Sequence, residues 1–205
     1  MKPGPESSYR VRDGCVLIEI ELSSIYQMFN TLDPAPFYER DIDADAEEYI
    51  VSSAREISLK RQLKLVIYLP EDEVLKEDPE LLANAIHHYF GYRMNASRRD
   101  LRHVFRQGRS SLMIGLVFLI LCIGAQSLVA LIPGNSGFLR DIIREGLLIS
   151  GWVAMWKPIQ IFLYDWWPVV LMIRVYRRLS RIEVEIRPST ELDRDTEIMT
   201  TEDGG

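Results

Sequence analysis

Residues 112–132 read LMIGLVFLILCIGAQSLVALI, and no side chain in this stretch carries a charge. A helix of about 20 residues crosses the roughly 30 Å hydrocarbon layer of a bilayer. A helix of a soluble protein is rarely apolar on every face over such a length. Pro133 and Gly134 then break the helix. We therefore predict a transmembrane helix over residues 110–132.

A second apolar block runs from Gly146 to Ile173 and is interrupted only by Lys157 and Asp165. Trp166 and Trp167 lie near its end, and tryptophan rings suit the headgroup layer of a membrane. The block predicts a second transmembrane helix over these residues, with its last part at the inner interface.

The basic residues predict the orientation of both helices. Six arginines precede the first helix and four follow the second, whereas Arg140 and Arg144 in the predicted turn are offset by Asp141 and Glu145. Under the positive-inside rule both termini are cytoplasmic and the turn is outside. The polar first 15 residues contain no apolar core of a signal peptide.

The cytoplasmic residues predict strands and helices of a small sheet domain. Val16–Leu22, Leu63–Leu69 and Ile182–Arg187 alternate apolar and polar side chains, as strands with one buried face do. Asp43–Ile57 shows helical spacing of apolar residues and acids in its first turn. Another helix starts near Pro79 and runs on towards the first span.

The predicted fold is α+β, a transmembrane two-helix hairpin with a small cytoplasmic domain of about three strands and two helices built from both chain ends. Between the second strand and its following helix we expect an acidic loop at Glu71–Glu80. The predicted order is a disordered N-terminus at 1–14, a cytoplasmic domain with a juxtamembrane helix at 15–109, a transmembrane helix at 110–132, an external turn at 133–145, a second transmembrane helix at 146–173, a returning strand at 174–188 and an acidic disordered tail at 189–205.

Composition and motifs weigh against several classes of protein. The 205 residues contain 30 acids, 24 bases and two cysteines, which excludes a disulfide scaffold and a cysteine-rich metal site. Asp41, Asp43 and Asp45 resemble the start of a calcium loop, but Ala46 and Ser52 stand where that loop needs Gly and Glu. No nucleotide-binding or hydrolase motif occurs. We expect no enzyme, no cofactor, no metal and no nucleic-acid partner.

Two rows of residues are candidate contact sites. Arg98, Arg102, Arg106 and Arg109 form one stripe on the helix that enters the membrane. The stripe is interpreted as ordinary positive flanking, as an anionic-lipid site, or as a docking site for an acidic surface. Gly146, Ser150 and Ala154 form a row of small residues on the second span. Such a row lets helices approach closely, either within one chain or between two.

Lys157 and Asp165 are the candidate polar site in the membrane. Counted from Leu147, Lys157 lies about 15 Å along the second span, near the midplane. A lysine there usually faces protein or water. Asp165 is about 12 Å further along a straight helix, too far for a direct pair. Alternatively the helix bends at Pro158 and the lysine reaches the interface.

The segments PF-x-ERDID from Pro36 and GWVAMWKP from Gly151, the latter continuing to FLYDWWP at Phe162–Pro168, carry a resemblance. With them, residues 15–188 resemble an uncharacterised family of bacterial two-span inner-membrane proteins. The resemblance implies the two-span topology and a location in the bacterial inner (plasma) membrane, and it brings no activity, cofactor or partner.

From the sequence we expect a non-catalytic interaction or accessory subunit with a cytoplasmic docking domain. Its expected partners are the lipid bilayer, including anionic lipid, and a membrane protein or further copies of the chain. The alternative is a homo-oligomeric channel or transporter-like subunit with Lys157 in the path. An enzyme using Asp41 or Asp43 at the membrane surface is a third hypothesis.

Overall fold

The computed structural model describes residues 9–36, 40–75, 78–130 and 137–192. The chain is an α+β protein with a mixed four-stranded sheet and two long apolar helices. In chain order the elements are β1 (Val11–Arg12), β2 (Cys15–Glu21), a 3₁₀ turn (Ile25–Met28), α1 (Ala44–Glu56), β3 (Gln62–Leu69), α2 (Glu71–Val74), α3 (Pro79–Ala130), α4 (Phe138–Gln160), a π-helical turn (Ile161–Asp165), α5 (Trp167–Leu179) and β4 (Glu183–Pro188).

All three predicted strands are confirmed, and they pair in one sheet of order β1-β2-β3-β4. β2, β3 and β4 are parallel, and Ile18, Leu65 and Val184 stand side by side across them. Because side chains alternate along a strand, these apolar residues share one face of the sheet. The neighbours β3 and β4 are separated in sequence by residues 70–182, which contain both long apolar helices.

The predicted disorder of residues 1–14 is wrong for the part that the structure describes. Val11 pairs with Val16 and Arg12 with Cys15, so β1 and β2 form an antiparallel hairpin. Asp13 and Gly14 join the strands with φ of 52° and 80°. A two-residue hairpin turn of type I′ needs positive φ at both positions, which Asp-Gly tolerates well. Residues 1–8 lie outside the described part.

The predicted helices over Asp43–Ile57 and from Pro79 are confirmed. α1 begins after Asp43, whose side chain accepts a hydrogen bond from the backbone N–H of Asp45 and so satisfies one open donor of the first turn. α3 begins at Pro79 and continues without a break for 52 residues. Proline suits the first position of a helix because its missing N–H has no partner there in any case.

Four predicted boundaries are wrong. Glu71–Val74 of the predicted acidic loop is helical, with three acids in its first turn. α4 begins at Phe138, so residues 138–145 of the predicted external turn are helical. The first part of the predicted returning strand is the end of α5. Residues 189–192 of the predicted disordered tail are helical, and Leu192 packs on a buried cluster of the sheet. Residues 131–136 and 193–205 lie outside the described part.

The chain divides into two units, Met1–Asn95 with Ile173–Gly205, and Ala96–Met172. The first unit holds the sheet and a core that α1, α3 and α5 help to form. Among its fully buried side chains are Ile18, Ile50, Leu65, Ile67, Leu82, Phe90 and Leu179.

In the second unit α3 and α4 contact each other in antiparallel order. A Cβ built on Gly108 would lie 2.9 Å from a side-chain atom of Ile161, and one on Gly151 would lie 2.7 Å from a side-chain atom of Leu119. Further along, the Gln126 side chain donates to the carbonyl of Arg144. Glycines at these positions therefore allow the close approach of the helices.

Both long helices are apolar and long enough to cross a membrane, by length and composition. Only 11% of the most apolar window of the first helical segment and 17% of that of the second are buried. The core helix of a soluble protein would be mostly buried, so these helices differ from one in exposure as well as in length.

Candidate functional site

The two polar residues predicted in the second span lie close together. Nζ of Lys157 is 3.9 Å from Oδ2 of Asp165, so the prediction that they cannot pair directly is wrong. That prediction assumed a straight, regular helix. Here Pro158 lies inside α4 and a π-helical turn separates the two residues, while the long lysine side chain spans the remaining distance. Their side chains are 56% and 33% exposed, which leaves the pair on the surface of the second unit.

The π-helical turn has a local cause in the sequence. Pro168 follows it, and a proline ring clashes with the carbonyl one turn earlier in a regular helix. A single wider turn is a common way to accommodate such a residue. The indole N–H of Trp166 donates to the carbonyl of Phe162 at 2.9 Å and gives that carbonyl a side-chain partner.

The arginine stripe and the row of small residues, the two predicted contact sites, differ in exposure. Arg98, Arg102, Arg106 and Arg109 are all exposed on α3. Of the small-residue row, Gly146 and Ser150 are exposed, and nothing lies within 4 Å of a Cβ built on Gly146. The carbonyl of Ala154 lies 3.0 Å from a Cβ built on Gly115. The glycine of α4 that packs against α3 is Gly151, one position away from the row.

The first unit contains a basic cleft that the sequence did not indicate. The cleft has a volume of about 670 Å³, within the range of small-ligand sites. Its lining comes from the loop between α1 and β3, from the last turns of α5, and from the first residues of β2, β3 and β4. We call it the basic cleft; its charged lining residues are Lys60, Arg61, Arg174, Arg177, Arg178, Arg181 and Glu183.

Helical spacing places the α5 arginines of the basic cleft on one face. Arg174 and Arg177 are three residues apart in α5, so their side chains lie above one another, and Arg181 follows in the turn after the helix. The opposite face of α5 carries Ile173 and Tyr176, which are buried. Burial of that face therefore directs the arginines to the surface.

Arg178 holds the two walls of the basic cleft together. Its guanidinium donates to the carbonyl of Ile57 at 3.3 Å and also to the carbonyl of Arg61. The loop that carries Lys60 and Arg61 is thereby attached to α5. Arg178 thus has a positioning role, while the other basic side chains face the cleft.

The cleft has a strong excess of positive charge. Its one acid, Glu183, already pairs with Lys64 at 2.8 Å. Within the described part of the chain, no ion pair or side-chain hydrogen bond involves the cationic groups of Lys60, Arg61, Arg174, Arg177 or Arg181. Several unpaired cations around one cavity attract an anion.

A polar junction joins α1, α3 and α5 in the first unit. Glu47 of α1 accepts hydrogen bonds from the Tyr89 hydroxyl and from Nε of Arg93, both at 2.7 Å. The Tyr176 hydroxyl of α5 donates to the same carboxylate at 3.2 Å, and the Arg93 guanidinium lies 5.6 Å from the Tyr176 ring centre. These groups satisfy each other, so the junction is structural.

The face of the sheet that carries Lys64 and Tyr68 also carries a chain of ion pairs. Glu185 lies 2.8 Å from both Lys64 and Nε of Arg187. The hydrogen bond from Arg187, helped by Lys64, lowers the pKa of Glu185 to about 2. On the same face the Tyr68 hydroxyl donates to Glu19 at 2.8 Å, and burial together with this bond raises the pKa of Tyr68 to about 12.

Asp41 and Asp43, the residues of the enzyme hypothesis, have mainly local roles. Asp43 caps α1, and the backbone of Asp41 donates to Asp33 at 2.9 Å. Asp41 also lines a small cavity of about 340 Å³ with Asp33 and His88. Among residues 9–36, 40–75, 78–130 and 137–192, no group of three or more His, Cys, Asp or Glu side chains could hold a metal ion.

Comparison of the chain with protein-family models, with curated proteins and with solved structures gives no match. The resemblance to two-span inner-membrane proteins therefore stays a prediction.

Proposed function

We propose that the protein is a membrane-anchored, non-catalytic interaction subunit of the bacterial inner membrane. In this proposal α3 and the segment from α4 to α5 form a transmembrane hairpin, and the sheet domain lies at the cytoplasmic face. The observation that carries the proposal is the exposure of two long apolar helices in a chain whose sheet domain buries its own core. A bilayer is the solvent in which such helices are stable.

The sheet supports an even number of membrane crossings. β3 and β4 are direct parallel neighbours, yet both apolar helices lie between them in the sequence. Strands of one sheet must lie on the same side of a membrane. The chain therefore leaves and returns on one side, and the arginines that flank the helices favour the cytoplasmic side.

The polar groups of the domain support binding rather than catalysis. The groups of the Glu47 junction satisfy each other, whereas the basic cleft presents unpaired cations at the surface. A charged surface with few committed partners suits electrostatic docking.

Labelling of single cysteines tests the topology. Cys15→Ser and Cys122→Ser provide a cysteine-free chain, into which Gly137→Cys or Ser52→Cys is introduced. We expect a membrane-impermeant maleimide to label Gly137→Cys in spheroplasts and Ser52→Cys only after lysis. Labelling of Ser52→Cys in intact spheroplasts would contradict the orientation, and release of the chain from membranes by carbonate would contradict the anchor.

The mass of the complex purified in nanodiscs tests the role. A monomer or dimer with a stoichiometric protein partner supports the interaction subunit. A closed homo-oligomer without another protein favours the second candidate, a channel or transporter-like subunit. The exposure of the Lys157–Asp165 pair on a single copy is the observation that favours this candidate. It predicts an altered ion flux in Lys157→Leu, whereas the interaction subunit predicts unchanged assembly.

A further inference from the structure

We propose that the basic cleft binds an anionic phosphate group, and that the headgroup of an anionic phospholipid supplies it. The phosphate chemistry follows from the cleft alone. The lipid as its source rests on the proposed function, because it requires the domain to lie at a membrane surface.

The charge and shape of the cleft support a phosphate ligand. Five basic side chains without a described partner line one cavity, and the charge of its single acid, Glu183, is paired with Lys64. Guanidinium groups present planar pairs of N–H donors that match phosphate oxygens. The volume of about 670 Å³ accommodates a headgroup with its phosphate.

The walls of the cleft are held in place without the ligand. Arg178 attaches the loop of Lys60 and Arg61 to α5 through two backbone carbonyls. The floor consists of strand residues, and the first residues of β2 and β3 are joined further by the contact between the Cys15 thiol and the Gln62 side chain at 3.6 Å. A site whose walls are attached to each other loses less conformational entropy on binding.

The position of the cleft in the chain favours a lipid as the source. Arg174 follows Trp167 by seven residues in the same helix, about 10 Å along its axis. Exposed tryptophans at the end of an apolar helix mark the headgroup layer. Under the proposed topology Arg174 and Arg177 lie at the cytoplasmic edge of that layer, where anionic headgroups are found.

The test measures Kd of the full chain in a non-ionic detergent. Its probes are pyrophosphate, short-chain phosphatidylglycerol and short-chain phosphatidylcholine. Three variants each remove two positive charges. Arg174→Gln/Arg177→Gln changes one wall of the cleft, Lys60→Gln/Arg61→Gln changes the other, and Arg12→Gln/Arg55→Gln is the matched control on exposed positions outside it. Arg178 is kept because it positions the loop, and circular dichroism checks that each variant folds.

We expect phosphatidylglycerol to bind more tightly than phosphatidylcholine. Each wall variant should raise its Kd at least about tenfold, since a basic side chain near an anionic lipid contributes roughly a fivefold factor in affinity. The control should change Kd less than about twofold.

The remaining outcomes distinguish two questions: whether the basic cleft binds phosphate, and whether a lipid supplies that phosphate. If pyrophosphate shows this dependence on both walls and phosphatidylglycerol does not, the phosphate site is supported and its ligand is soluble. Equal weakening by the control variant, or no binding of either anionic probe, would overturn the proposal. Because these measurements are made in detergent, they do not depend on the topology, so failure of the anchor and failure of the site remain distinguishable.

Discussion

Nε of Arg93 lies 2.7 Å from Oε1 of Glu47, so one charge-assisted hydrogen bond connects α3 to α1. The carboxylate also accepts the hydroxyls of Tyr89 and Tyr176, and the second of these adds α5. One side chain thus holds α1, α3 and α5 together.

Glu47→Ala should lower the free energy of unfolding by about 2–4 kcal/mol, because it leaves Arg93 and two hydroxyls without their acceptor. Denaturant unfolding of the full chain in detergent, followed by circular dichroism, measures the change. Glu48→Ala is the matched control, since Glu48 is exposed on the same helix. Equal effects of the two substitutions would show that the junction contributes nothing specific.

Gly115→Ala should destabilise the contact of α3 with α4 by about 1–3 kcal/mol, as overpacking does. Its Cβ would lie 3.0 Å from the backbone oxygen of Ala154, which cannot move aside as a side chain can. Gly124→Ala is the control, because nothing lies within 4 Å of a Cβ built there. Thermal unfolding in detergent should show a lower Tm for Gly115→Ala alone, and a similar Tm for both variants would contradict the packing argument.

Glu185→Gln should cost about 1 kcal/mol of stability at pH 7, because the carboxylate is bound to Lys64 and Arg187 and is only partly buried. The folded pKa of Glu185, about 2, lies below its ordinary value of 4.5. The stability that this carboxylate contributes is therefore present above about pH 4.5 and is lost as the pH falls towards 2.

Thermal unfolding of the wild type and of Glu185→Gln between pH 7 and pH 2.5 measures this dependence. The two curves should converge at the acid end. A difference in Tm that stays constant over the whole range would contradict the assigned pKa.

Lys157→Leu and Asp165→Asn should be coupled by about 1 kcal/mol in a double-mutant cycle, since each single substitution removes the partner of the other residue. The free energies of unfolding of the two single variants and the double variant in nanodiscs give the coupling. Additive effects would show that the 3.9 Å approach contributes no stability.

Local patterns predicted the regular elements well. Alternation in Leu63–Leu69 and helical spacing after Asp43 are properties of neighbouring residues, so the sequence carries them directly. Asp13-Gly14 was also a local indication of a hairpin, but the polar residues around it favoured disorder. The charged residues near Phe138 led to the prediction of a turn there, because charged side chains favour water over the apolar interior of a membrane, whereas α4 already begins at Phe138.

The candidate sites could not be predicted from local patterns in the same way. The basic cleft combines residues near 15, 60 and 178, and its existence depends on the register of three parallel strands. The arginines of α5 form a cluster in the sequence. Because they follow a predicted span, the positive-inside rule already explained them, and no binding site was inferred. The Lys157–Asp165 pair depends on an irregular turn, and the rise of a regular helix therefore gave the wrong distance.

The adjacency of β3 and β4 also has a consequence for biosynthesis. Ribosomes add about 5–20 residues per second, so β4 follows β3 by roughly 6–20 s. During that interval the edge of β3 that will receive β4 has no strand partner, and both apolar helices are made within it. Closure of the sheet therefore waits until both apolar helices have been synthesised, and a chain arrested before β4 keeps an open edge that can pair with another chain.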